Sequence, residues 1–272
     1  MLGKKSNLVV GLTTFNNEML RISVPALGRL RRHFILIIHN DNPATTITKR
    51  QIRALGYHGD LHIINSTENM GTIAARFNIV SVATRNAPSA KWITFVDDDD
   101  ILMDIDTPNV SSDNFAVVQN MVVVRHSVRD LLRVMANPND YLIDDENVVL
   151  VRPHIGLVGT LVRMETMVGL INTLNEYMGK ISEIDASIDY RPPYDAIIWT
   201  MLGEYAKSVN PNAVPIYMDR VGYIAIKLDS APTKYGRNAM PARATRDHYA
   251  RTIARFVDVL RAALAAPAGQ NI

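Results

Sequence analysis

Four consecutive aspartates, Asp97 to Asp100, close the apolar run of KWITFVDDDDIL. Carboxylates crowded this closely repel one another and raise one another's pKa values, so a folded chain keeps such a cluster where something positive neutralises it. If the chain stays extended through the tetrad, alternate side chains point the same way and Asp97 and Asp99 converge on one point. Two converging carboxylates suit a hard divalent cation. Magnesium is held by one or two carboxylates together with the phosphate oxygens of a substrate, and manganese accepts similar oxygen ligands. The chain has no cysteine, which leaves any metal site to oxygen and histidine ligands. The duller reading of the same run is a solvated loop or the cap of a following helix, and the tetrad alone does not choose between the two.

The elements that must position these aspartates alternate in type. Residues 7–12 (NLVVGL), 34–39 (FILIIH), 61–65 (LHIIN) and 91–96 (KWITFV) read as buried strands. Between them, residues 23–33 read as a helix with Ser23 as N-cap and Pro25 in its first turn, a short helix ends at Gly56, and residues 69–87 keep helical spacing. This alternation predicts an α/β fold with a mainly parallel central sheet covered by helices on both faces. Ligands of such sheets bind at the carboxyl ends of the strands, which is where the tetrad stands. Further on, residues 115–126 supply one or two strands. Residues 127–138 read as a helix, as does METMVGLINTLNEYMG with Gly179 near its end, and another helix starts near Tyr194. Residues 229–244 read as a mobile, basic, glycine- and proline-containing loop, followed by a final helix over about 245–264 with Ile253, Phe256, Val257, Leu260 and Leu264 on one face.

Composition narrows the class. A chain of 272 residues with 47% hydrophobic content carries a substantial core, and a net charge of +2 (29 basic against 27 acidic residues) gives no case for a nucleic-acid protein. No stretch of about 18 unbroken apolar residues is present, so no membrane span is expected. The absence of cysteine fits a cytoplasmic location.

Taken in order, VGLTTFNNE, IIHNDNP, NMGTIAARFN and WITFVDDDDIL resemble the nucleotide-sugar glycosyltransferases of the GT-A fold, family 2 in particular. The likeness spans roughly residues 7–102 and continues thinly through GLVGTLVRMETM and YDAIIWTML. It implies one continuous GT-A domain, with residues 1–110 as the nucleotide-sugar-binding half, 111–228 as the acceptor-binding half and 229–272 as a C-terminal loop and helix. By the same resemblance Thr13, Phe15 and Asn16 lie against the base, and Asp41, or Asn40 if the match slips by one, bonds its ring or the ribose. Asn69, Gly71 and Arg76 border base and diphosphate, Asp97 and Asp98 touch the nucleotide, and Asp97 and Asp99 hold Mn2+ or Mg2+. Asp195 takes the position of the general base of an inverting transfer, and His248 is the candidate third metal ligand.

Each of these positions has a plainer alternative. Thr13, Asn16 and Asp41 are common turn residues, and Asp195 is an acidic charge in a helix's first turn. The chain also departs from the family in having Phe77 after Arg76 and Tyr194 before Asp195. The expected activity is hexosyl transfer from a nucleotide-diphosphate sugar, with UDP as the expected nucleotide, to a glycan, lipid-linked or other hydroxyl acceptor. A nucleic-acid acceptor has no support in the sequence, and the C-terminal helix is the candidate oligomer contact. A nucleotidyltransferase, which usually shows a glycine-rich basic loop after its first strand, and a non-catalytic binding protein of the same fold are the alternatives.

Overall fold

In a computed structural model the described residues are 6–103, 106–125, 148–154, 156–188, 193–227 and 245–266. The helix expected over 127–138 and the loop expected over 229–244 lie outside them. Strands β1 (Leu8–Thr14), β2 (Ile35–Asn40), β3 (Asp60–Asn65) and β4 (Trp92–Asp97) alternate with helices α1 (Leu20–Arg29), α2 (Lys49–Ala54) and α3 (Thr72–Asn86). The second half adds β5 (Ile101–Leu102), β6 (Asn114–Arg125), β7 (Val148–Val151), β8 (Leu161–Arg163) and β9 (Val214–Lys227). Its helices are α4 (Met164–Leu174), α5 (Met178–Ala186), α6 (Tyr194–Val209) and α7 (Thr245–Ala265). All nine strands join one sheet in the order β3-β2-β1-β4-β8-β6-β9-β5, with β7 on β6, so the fold is a single α/β domain.

Strands β1 to β4 pair in parallel and most of the residue pairs in the sheet are parallel, including the long β6–β9 ladder. Parallel strands buried on both faces need continuous apolar runs, and β2 is buried at all six positions. The order β3-β2-β1-β4 has a consequence for function. The chain steps outward from β1 to β3 and then crosses back through α3 to β4, so β1 and β4 flank the point where the order reverses. Clefts form at the carboxyl ends of such a pair. Thr13 is the register partner of Asp97 there, which brings the end of the first motif beside the tetrad.

Three local expectations are corrected. Helix α1 starts at Leu20 rather than Ser23, because Leu20, Ser23, Val24 and Leu27 form its buried face, and Pro25 consequently sits inside the helix. The helix from Met164 does not run through to Gly179. It tightens into a 3-10 turn at Asn175–Tyr177 and resumes as α5, whose first turn contains Gly179. The third concerns the tetrad: the strand ends at Asp97, and the Asp100 N–H donates to the Asp97 carbonyl at 3.2 Å, closing a turn over Asp97–Asp100. By contrast α2 carries a capping box between Thr48 and Gln51, and α7 spans nearly the stretch expected for the final helix. On α7 Phe256, Val257 and Leu260 are buried, while Leu264 is exposed. No helix among the described residues is long and apolar enough to cross a membrane.

Candidate functional site

A cleft of about 1380 Å³ opens at the carboxyl ends of β1 and β4 and is closed on the far side by α4, α5, the start of α6 and Tyr249 of α7. Thr13, Phe15, Asp41, Asn69, Gly71, Arg76, Asp97, Asp98 and Asp195 all line it. Asn16, Asp99 and His248 are not among its lining residues. Asn16 is a turn residue at the entry to α1, where its side chain accepts the Glu18 N–H at 3.1 Å. His248 is exposed on α7, with Arg251 3.5 Å away.

The turn after β3 is held from β2. Asp41 accepts the Met70 N–H at 2.8 Å on one oxygen and the Gly71 N–H at 3.0 Å on the other. Gly71 is the N-cap of α3 with φ 79°, a conformation that favours glycine. Burial raises the pKa of Asp41 and these two N–H donors partly offset the rise. The resemblance implies that Asp41 bonds the nucleotide; in the structure it lines the cleft and holds the Met70–Gly71 loop. The Asn42 amide donates to the Phe15 carbonyl at 3.0 Å, tying the loops after β1 and β2 together.

The four aspartates divide by environment. Asp98 is 4% exposed and accepts the Thr14 hydroxyl at 2.6 Å. Asp100 is 2% exposed and accepts the Tyr223 hydroxyl and the Ile226 N–H, both at 2.8 Å, one on each oxygen. Asp97 and Asp99 are the more accessible pair. Ligand oxygens of Asp97, Asp99 and Asp100 lie within 4.8 Å of one another. An octahedral ion with bonds of about 2.1 Å spans oxygens separated by roughly 3 to 4.2 Å, so this all-oxygen set could hold a hard divalent cation once its oxygens draw together. The convergence expected of Asp97 and Asp99 is therefore present, but a turn produces it rather than strand alternation.

Arg76 joins the two halves. It stands in the second turn of α3, is 2% exposed, and donates to Asp97 at 3.0 Å and to Asp195 at hydrogen-bond contact. Burial works against its charge, but Asp195 and Asp97 together more than offset that and hold its pKa above the usual arginine value. The resemblance implies that Arg76 borders the base and diphosphate; in the structure it lines the cleft and pairs with these two carboxylates. Asp195 lies in the first turn of α6, where a helix N-terminus favours negative charge. Its second oxygen carries no hydrogen bond among the described residues, and the side chain is 34% exposed.

Several lining residues had no signal in the sequence. Asp185 on α5 accepts the Tyr194 hydroxyl at 2.6 Å, and Thr14 reached the site only through Asp98. Tyr223 on β9 reaches Asp100 from 123 residues away, and the short apolar run YIAI is the signal that could have marked its strand. Burial, then the charges of Asp100 and Asp97, push the Tyr223 hydroxyl well above the usual tyrosine pKa, so it remains a proton donor. His154 stacks on Tyr223 with ring centroids 6.4 Å apart. Burial lowers the pKa of His154, opposed by the nearby charge of Asp195.

Residues 10–110 match the glycosyl transferase family 2 model. A search of the curated proteins finds no match. Among solved structures, the crystal structure of S. aureus TarS, residues 1–349, aligns over 93% of this chain and 71% of its own, at 13% identity and a TM-score of 0.48.

Proposed function

We propose that this chain, which matches the glycosyl transferase family 2 model over residues 10–110, transfers a sugar from a nucleotide-diphosphate sugar, UDP in the first instance, to an acceptor hydroxyl with inversion. The observation that carries this reading is Arg76, which links a carboxylate of the acidic turn to the carboxylate at the start of α6 within one cleft. A transfer of this kind needs countercharge for the departing diphosphate and a proton acceptor for the attacking hydroxyl, close together around one carbon.

The donor half supplies the first. Thr13, Phe15 and the Asp41-held turn over Asn69–Gly71 border the space for the nucleotide, and Asp97 and Asp99 are the residues that would hold Mn2+ or Mg2+. When bound, the metal supplies Lewis-acid stabilisation of negative charge on the diphosphate. Asp195 supplies the second: its outer oxygen takes the proton of the acceptor hydroxyl as the hydroxyl oxygen bonds to the anomeric carbon and the bond from that carbon to the diphosphate oxygen breaks. Arg76 fixes the orientation of the inner oxygen meanwhile. Asp185 and Tyr194, on the acceptor-side wall, are polar groups suited to sugar hydroxyls.

A screen of UDP-, GDP- and dTDP-sugars with manganese, read as release of nucleoside diphosphate, tests the proposal. Release of diphosphate from one donor supports it. Release of pyrophosphate from nucleoside triphosphate and sugar phosphate would identify a nucleotidyltransferase instead, and no turnover or binding with any donor would favour a non-catalytic protein.

A further inference from the structure

We propose that Tyr223 is a positioning residue for the acidic turn, acting from the acceptor half on the carboxylates of the donor half. The inference rests on the reading of Asp97 and Asp99 as metal ligands. The Tyr223 hydroxyl stands between the two ends of the Asp97–Asp100 turn: it accepts the Asp97 N–H at 3.2 Å and donates to the Asp100 carboxylate at 2.8 Å. The next-but-two residue of the same strand completes the hold, the Ile226 N–H donating to the other Asp100 oxygen at 2.8 Å. Both ends of the turn are thus fastened to β9, while Thr14 fastens Asp98 from β1. Asp97 and Asp99 are left as the accessible pair, and their separation is set by groups that touch neither a metal nor a substrate.

The tyrosine itself is fixed. It is 1% exposed, His154 stacks on one side of it, and Gly159 packs against its root. A Cβ on Gly159 would lie 2.6 Å from the Tyr223 Cβ, and the glycine has φ 70°, so only glycine lets the ring sit where it does. A ring held by packing on several sides is a rigid post. Rigid second-layer hydrogen bonds of this kind orient metal-binding carboxylates, and losing one typically lowers metal affinity about 10- to 100-fold. The Tyr223 hydroxyl acts one step further back, on the Asp97 N–H and the Asp100 carboxylate that bracket the ligand pair in the turn.

The test uses the full chain and manganese alone, titrated by calorimetry or by the electron paramagnetic resonance signal of free ion. Tyr223→Phe keeps the ring against His154 and Gly159 and removes only the hydroxyl. We expect its manganese affinity to fall about tenfold or more, with the circular dichroism spectrum unchanged. Under turnover the manganese concentration for half-maximal rate rises by the same factor, and kcat at saturating manganese recovers toward wild type. Gly159→Ala, which displaces the ring without altering any polar group of the turn, is the second variant and shows the same loss. Tyr217→Phe removes a more exposed hydroxyl from the same strand and leaves affinity unchanged. Wild-type affinity in folded Tyr223→Phe overturns the inference and leaves the metal reading standing. Failure of the wild-type protein to bind manganese, alone or with nucleoside diphosphate, overturns the metal reading and the inference with it.

Discussion

Replacing Arg76 with methionine isolates what one buried guanidinium does for two carboxylates. Methionine fills much of the same volume and packs among the apolar neighbours of α3, Phe95 included, whose ring centroid is 5.8 Å from the guanidinium carbon. What disappears is the positive charge between Asp97 and Asp195. Removing one partner of a fully buried ion pair costs about 3 to 5 kcal/mol, chiefly because the surviving charge is left unpaired. Here the survivors are 23% and 34% exposed, so water reaches both and the penalty is smaller. Their mutual repulsion and the loss of two charged hydrogen bonds act in the opposite direction. We expect about 2 to 4 kcal/mol of destabilisation, which for a chain of this size lowers the melting temperature by roughly 4 to 8 °C.

The same reasoning says how the loss is repaired. A divalent cation at Asp97 restores positive charge where the guanidinium stood, so manganese should raise the melting temperature of Arg76→Met by more than it raises that of the wild type. Thermal unfolding followed by fluorescence, with and without manganese at matched ionic strength, measures both effects. A variant that melts within about 1 °C of wild type, a difference worth well under 1 kcal/mol, would refute the claim that Arg76 neutralises this pair. A variant that loses stability but gains nothing extra from manganese would refute the link between the arginine and the metal-binding carboxylates.

Three further outcomes follow from the site and the core. Asp99→Asn abolishes the manganese-dependent part of nucleoside diphosphate binding in calorimetry while the melting temperature without metal stays level or rises, since one repelling charge is gone. Asp195→Asn keeps donor binding and lowers transfer to the acceptor by about a hundredfold or more, the scale of a lost general base; a fully active variant would place the base elsewhere. His39, fully buried in β2 with the Asn78 amide 3.2 Å from its Nε2, has its pKa lowered by burial from 6.5 to about 4, so wild-type stability is complete above pH 6.5 and declines as the unfolded chain alone takes up the proton down to pH 4. His39→Gln lacks that term, and its stability relative to wild type should improve by roughly 3 kcal/mol between pH 6.5 and 4 in urea unfolding.

The first hundred residues were legible because buried parallel strands leave contiguous apolar runs, and four such runs ending in polar motifs imply strand ends gathered at one edge. What stayed hidden were contacts made at long range. Asp41 reads as a turn residue after a strand, yet its partners are backbone N–H groups 29 and 30 residues on, which no side-chain pattern encodes. Arg76 reads as a polar position on an amphipathic helix, and only the arrival of Asp97 and Asp195, 21 and 119 residues away, makes its burial tolerable. Strand β9 was masked by Pro215 and Gly222, which normally punctuate strands. The β6–β9 ladder accommodates them with register shifts at Asn114/Ala116, Val118/Asn120 and Asn120/Met121.

The matched stretch, residues 10–110, contains the whole acidic turn and Arg76 but neither Asp195 nor β9. That stretch therefore carries the carboxylates proposed to hold metal, with Thr14 on Asp98 and Arg76 on Asp97, but not every group that fastens the turn. The Tyr223 hydroxyl and the Ile226 N–H fasten Asp100, and Asp195 balances the arginine that also serves Asp97. Residues beyond the matched stretch accordingly complete the hold on the acidic turn. Any displacement of α6 or β9, as when an acceptor presses on Tyr194 at the start of α6, reaches Asp97 through Arg76 alone or through the tyrosine post. Both routes are short and hydrogen-bonded, so if the proposed function holds, binding of an acceptor at Tyr194 and of a metal at the acidic turn should depend on each other, equally in either direction, which manganese titration with and without acceptor measures.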